Sequence, residues 1–89
     1  MDLGLRHKLV LVTGSASGIG KATAQLFLAE GAKVIVHGLT DEEVEACVDD
    51  LSPLGNVVGK AADLTDPEQA NALCEFALKQ GDIDILVNN

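Results

Sequence analysis

Four aliphatic residues in succession, Leu9-Val10-Leu11-Val12, stop at Thr13-Gly14, and this run constrains the chain more than any other feature. It is too short for a helix, and it lacks the polar alternation of a strand with one wet face. Such a run suits a strand buried on both faces, which in practice means a parallel sheet with helices above and below. The rest of the sequence supplies those helices. Ile19, Ala22, Thr23, Leu26 and Ala29 recur at helical spacing and predict a helix from about Gly18 to Glu30, buried along that stripe and closed by Gly31.

A second apolar run spans Lys33–His37. Thr40 and Glu43 then form a T-x-x-E capping box, opening a helix with Val44, Cys47, Val48 and Leu51 inward. Pro53 and Gly55 end it. A weaker strand covers Asn56–Ala61. Asp66-Pro67 is a helix start, an N-cap followed by proline at the first helical position. That helix runs to about Gln80, with Ala70, Leu73, Cys74 and Ala77 inward. A fourth strand, Ile83–Asn88, should place Ile83, Ile85 and Val87 on one face.

The pattern β-α-β-α-β-α-β predicts an α/β fold, a three-layer parallel sheet in the order 3-2-1-4, a partial Rossmann fold over residues 1–89. Cys47 and Cys74 then fall on opposite faces of the sheet, as small hydrophobes rather than a disulfide. They form no metal-ligand spacing with a histidine.

Charge narrows the function. Fourteen acids against six Lys and Arg leave a net charge of -8, a field that repels phosphate backbones and anionic lipid. Two phenylalanines and no Trp or Tyr give no stacking platform for single strands. Nucleic-acid and membrane roles are excluded on these grounds. MDLGLRHKL has no apolar core leading to a small-residue cleavage site, so the expected location is the cytoplasm.

The chemistry is concentrated in Thr13-Gly14-Ser15-Ala16-Ser17-Gly18-Ile19-Gly20, between the first strand and the first helix. A helix amino terminus offers unpaired N–H groups and partial positive charge, and so holds an anion without a basic side chain. Gly14 turns the chain off the strand, Gly18 lets backbone approach a pyrophosphate, and Gly20 permits close packing. Gly20-Lys21 is not a P-loop. Ser15 stands where that motif needs glycine, and Ala22 lacks the hydroxyl that holds magnesium. A methyltransferase-like acid at the end of the second strand is also missing from His37-Gly38-Leu39.

The segment TGSASGIG resembles the T-G-x-x-x-G-x-G cofactor motif of the short-chain dehydrogenases/reductases. Asp63-Leu64 looks like that family's adenine-contacting acid and its neighbour. Asn88-Asn89 looks like the opening of its N-N-A-G segment. The resemblance implies an NAD(P)-dependent oxidoreductase whose amino-terminal cofactor half these residues represent. By it, Gly14, Ser15, Ser17, Gly18, Ile19 and Gly20 line the pyrophosphate, Asp63 accepts from the adenine amino group beside Leu64, and Asn88 approaches the ribose. Gly38 and Leu39 mark where the family chooses its cofactor. NAD-type members carry an acid at the position of Gly38, and NADP-type members a base at that of Leu39 or Ser17. Neither device is present, and Asp41, Glu42 and Glu43 tip the expectation slightly toward NAD.

The family's catalytic Ser and Tyr-x-x-x-Lys have no counterpart here, since the chain contains no tyrosine. No catalytic residue is assigned, and the chain alone is expected to transfer no hydride. His7 and His37 read as an exposed residue and a strand-end residue. A non-catalytic adenine-nucleotide module, or a structural product with an empty glycine loop, is the alternative. The fourth strand is an apolar edge guarded by Asp82 and Asp84, from which a homodimer is expected.

Overall fold

The computed structural model describes residues 4–89. The reading of the amino-terminal segment thus extends, at residues 1–3, outside the described residues. The elements run β1 (Leu9–Val12), α1 (Gly18–Ala29), β2 (Lys33–Gly38), α2 (Asp41–Leu51), a 3-10 turn at Ser52–Leu54, β3 (Val57–Ala61), α3 (Pro67–Lys79) and β4 (Ile85–Val87). The sheet order is β3-β2-β1-β4, and every pairing is parallel, as the alternation of elements predicts.

The pleat divides the core in two. Val10, Val12, Val34 and Val36 face α1 and α2, meeting Ala24, Leu28, Val44, Cys47 and Leu51. Leu9, Leu11 and Ile35 face the other way, toward Ala77 of α3. Each such aliphatic side chain withdrawn from water contributes about 1.5–3 kcal/mol, so the central strands β1 and β2 anchor the fold. Both expected helix starts are capped, at Thr40 by the threonine half of the box alone. Thr40 Oγ1 accepts from the Glu43 N–H at 3.2 Å, and Asp66 Oδ1 accepts from the Glu68 N–H at 3.0 Å.

Three expectations are corrected. The inward face of α1 carries Gly20, Ala24 and Leu28, whereas Ile19 and Leu26 are 79% and 71% exposed. Both sides of this helix are apolar, so periodicity alone could not set its phase. The small residues set it, because they allow the backbone of α1 to approach the β1 turn. Cys74 is exposed while Cys47 is buried; Leu73 and Ala77 alone form the buried face of α3. Ile83 lies ahead of β4 and packs with the α3-side cluster, while Ile85 and Val87 pack with the opposite one. The strand is three residues long, shortened because Asp84 turns back to β1, accepting from the Leu9 N–H at 2.8 Å.

Candidate functional site

Parallel strands deliver their carboxyl ends to one edge, and here that edge collects the turns at Thr13–Ser17, Leu39–Thr40, Ala62–Asp66 and Asn88–Asn89. β1 lies between β2 and β4. The helix after β1 packs on one face, and the helix leading into β4 packs on the other. The strand order therefore reverses between β1 and β4, where open α/β sheets form a crevice.

The glycine turn is built around left-handed backbone at Gly14 (φ 60°) and Gly18 (φ 61°), a conformation that L side chains adopt at a cost. A Cβ placed on Gly18 meets nothing within 4 Å, so this position is open. A Cβ on Gly20 would overlap the Gly14 carbonyl oxygen and crowd the Asn89 amide. Gly20 is thus the residue that lets α1 start against the turn.

Ser17 is the N-cap of α1, yet its side chain makes no capping bond, and no acid lies in the first turn. The N–H groups of Gly18, Ile19 and Gly20 donate to no acceptor among the described residues. Ser17, Gly18 and Ile19 are all exposed. Three N–H groups of one short turn therefore present donors and partial positive charge to the sheet's carboxyl edge.

Ser15 is tied into the scaffold by its side chain. It is fully buried. Its hydroxyl donates to the Val12 carbonyl at 2.6 Å and accepts from the His37 N–H at 2.9 Å. Its own N–H donates to the His37 carbonyl at 2.7 Å, and its carbonyl accepts from the Cys47 thiol at 3.3 Å. The side chain ties the turn to β2 and is closed off from solvent. Burial pushes the Cys47 thiol up from its ordinary range, against a smaller lowering by Lys21, which keeps it a protonated donor.

The residue that sequence reasoning missed is His37. It is buried, with Nδ1 at 2.9 Å from the Gly14 N–H and Nε2 at 2.8 Å from the Ala62 carbonyl. The strand alternation contained the signal. Val34 and Val36 point one way, so Ile35 and His37 point the other, into a face that a parallel sheet buries. A buried imidazole needs partners.

The remaining candidates line the same edge. Thr13 joins β1 to the end of β4: its hydroxyl reaches Asn88 Oδ1 at 3.2 Å and accepts from the Asn89 N–H at 3.0 Å. The Asn89 side-chain amide donates to the Gly14 carbonyl at 3.1 Å. Asn88 itself is exposed. Asp63 Oδ1 accepts from the Thr65 hydroxyl and N–H at 2.7 and 3.0 Å. These bonds, the hydroxyl's foremost, hold the Asp63 carboxyl below its usual range. Leu64, the next residue, and Leu39 are exposed, and Leu39 borders a cleft of about 410 Å³ shared with Thr40, Lys60 and Gln69. Gly38 is not spare room. A Cβ there would run into Ala16 and Val44, so β2 ends in glycine because the β1 turn lies on top of it.

Comparison with known proteins matches this arrangement. A family profile described as short chain dehydrogenase covers residues 8–89. The chain is 56% identical over 89 residues to an uncharacterized oxidoreductase, YvrD, of Bacillus subtilis (strain 168), covering 100% of this chain and 34% of that protein. It is 42% identical over 87 residues to the 3-oxoacyl-[acyl-carrier-protein] reductase FabG of Thermotoga maritima, covering 96% and 35%. Among solved structures, L-sorbose reductase from Gluconobacter frateurii, complexed with NADPH and L-sorbose, superposes with a TM-score of 0.94 at 35% identity, covering 100% of this chain and 35% of that one. A hydroxysteroid dehydrogenase from Escherichia coli gives a TM-score of 0.90 at 36% identity, covering 96% and 37%. The chain spans about a third of the length of the curated relatives it matches. With the fold, the glycine turn and the profile in agreement, this chain belongs to the short chain dehydrogenase family.

Proposed function

We propose that residues 1–89 act as one dinucleotide-binding unit, the amino-terminal cofactor side of an NAD(P)-dependent oxidoreductase. The observation that carries this reading is the uncapped, acid-free start of α1, opened to solvent by Gly18 and pressed to the turn by Gly20. That surface fits a pyrophosphate, and Gly14, Ser17, Gly18, Ile19 and Gly20 would hold it. Asp63 Oδ2, which accepts no bond among the described residues, is free for an adenine amino group, with Leu64 beside the ring. Asn88 and the Gly38-Leu39 turn would border the ribose. When bound, a nicotinamide dinucleotide supplies hydride transfer. These 89 residues contain no tyrosine to serve as the proton donor, so binding without turnover is the expected behaviour. Calorimetric titration with NAD, NADP and AMP tests it; no heat with any of them at millimolar concentration would leave the glycine loop empty and defeat the reading.

Asp41, Glu42 and Glu43 on the first turn of α2 disfavour a 2′-phosphate beside Leu39, which favours NAD over NADP. Cytoplasmic placement accords with NAD(P) chemistry; no helix among the described residues is long and apolar enough to cross a membrane. The β4 edge supports a homodimer, since Leu86 is 62% exposed and, among the described residues, the strand pairs with β1 alone. Ile85 packs into the core, so Leu86→Lys is the informative substitution. It should shift sedimentation from dimer to monomer, and a wild-type monomer at high micromolar concentration would overturn the pairing.

A further inference from the structure

We infer that His37 is a positioning residue for the dinucleotide site, one imidazole that locks the pyrophosphate turn to the adenine-side loop. The inference rests on the dinucleotide-binding reading and adds a residue to it that no motif includes. A backbone N–H can only donate, so Nδ1, 2.9 Å from the Gly14 N–H, must carry a lone pair. A carbonyl can only accept, so Nε2, 2.8 Å from the Ala62 carbonyl, must carry the hydrogen. The two bonds together select one tautomer of the neutral ring. Ala62 dictates which nitrogen is protonated, and so makes the other nitrogen an acceptor for Gly14.

The location gives the tautomer its use. Gly14 is the left-handed residue that turns β1 into the anion-facing loop, and Ala62 immediately precedes Asp63. Beneath the ring, the His37 main chain holds Ser15 through both its N–H and its carbonyl. β2 thus grips the turn at Gly14 by side chain and at Ser15 by backbone. Removing the ring leaves the Ser15 bonds in place, deprives the part-buried Gly14 N–H of its acceptor and frees the Ala62 carbonyl. The turn then samples orientations that misaim the N–H groups at the start of α1.

Nitrogen-15 spectra of the imidazole in the full chain, with titration of NAD into three variants, test this. Wild type should show a protonated Nε2, an unprotonated Nδ1, and scalar coupling from Nδ1 to the Gly14 amide. In His37→Asn the side-chain oxygen occupies the place of Nδ1 and still accepts from Gly14. In His37→Gln the amide nitrogen occupies the place of Nε2 and serves only Ala62; His37→Leu serves neither. The affinity for NAD should fall by about tenfold in His37→Leu, less in His37→Gln, and by no more than about threefold in His37→Asn, the scale of one hydrogen bond. Folded Asn and Leu variants with equal NAD affinity would overturn the inference, as would an Nδ1–H ring in wild type. Should wild type bind no NAD at all, the dinucleotide reading falls instead, and the positioning role falls with it while the ring coupling still reports the lock.

Discussion

α1 and α2 lie side by side on one face of the sheet and begin in opposite ways. α2 starts with Thr40 capping the Glu43 N–H and with Asp41, Glu42 and Glu43 in its first turn. α3 follows the same pattern, with Asp66, Pro67 and Glu68. Each satisfies one of its orphan donors with a side chain and complements the helix dipole. α1 does neither. A side-chain cap is worth about 0.5–2 kcal/mol, and α1 forgoes it while keeping its donors free at the sheet's carboxyl edge. What holds α1 in place is packing and the hydrogen bonds around Ser15 and His37. The contrast teaches that the stabilising devices of an ordinary helix start and the requirements of an anion site compete for the same N–H groups.

The largest expected effect removes the close approach on which α1 depends. Gly20→Ala places a methyl against the Gly14 carbonyl, a backbone atom that must shift to admit it. It should cost about 3 kcal/mol, at the upper end of overpacking penalties, and should leave much of this small domain unfolded by circular dichroism at 37 °C. An unchanged thermal midpoint would show that α1 does not need to start against the turn.

Next comes a substitution that makes α1 start as α2 does. Ser17→Asp adds both a cap and a first-turn charge, so stability in urea should rise by about 0.5–1 kcal/mol. NAD affinity should fall by about tenfold, because the carboxylate takes the N–H groups and repels the pyrophosphate. Opposite signs in the two measurements are the prediction; a variant that gains stability and keeps its affinity would show that the start of α1 is not the anion site.

A smaller pair of changes measures the contrast from the other side. Thr40→Ala should cost about 1 kcal/mol in urea unfolding, the ordinary value of a cap. Ser17→Ala should stay within about 0.5 kcal/mol of wild type, as expected of an exposed side chain that makes no capping bond. Equal losses at both positions would erase the distinction between the two helix starts.

The two kinds of helix start also differ in how well they can be read from sequence. Thr40-x-x-Glu43 and Asp66-Pro67 are local signals between residues three positions apart or fewer, and the structure has both where the letters place them. The strand order follows equally from alternation and crossover handedness. The interior of the α1 region is not local. The His37 ring meets partners 23 and 25 residues away, and the phase of α1 depends on a carbonyl that only the folded turn presents. Ser15 fits the glycine motif by its letter, yet burial decides that it serves the scaffold. Gly38 reads as a missing acid until the close approach of Ala16 supplies its reason. Sequence patterns report periodicity and local hydrogen bonding; they do not report which of two apolar faces comes closest to a neighbouring backbone.

The smallest expected effect concerns Asp63, three residues before the cap of α3, which resembles a helix-start acid but caps nothing. Its carboxylate accepts from the Thr65 hydroxyl and N–H, and those bonds lower its pKa below the ordinary value of 3.8. A carboxyl depressed in the folded state favours folding when ionised. Its contribution is therefore complete above the unfolded value and disappears as pH falls through the depressed folded one. Asp63→Asn should accordingly be slightly less stable than wild type at neutral pH, and the two thermal midpoints should converge as the pH is lowered below about 4. The group is exposed to solvent, so the gap should be small and should respond little to salt, because its partner is a neutral hydroxyl rather than a cation. A gap that stays constant into strong acid would mean that the Thr65 bonds do not depend on ionisation. In that case Asp63 would be held for its shape as a turn residue, and the anionic oxygen that an adenine amino group needs would be an accident of the fold.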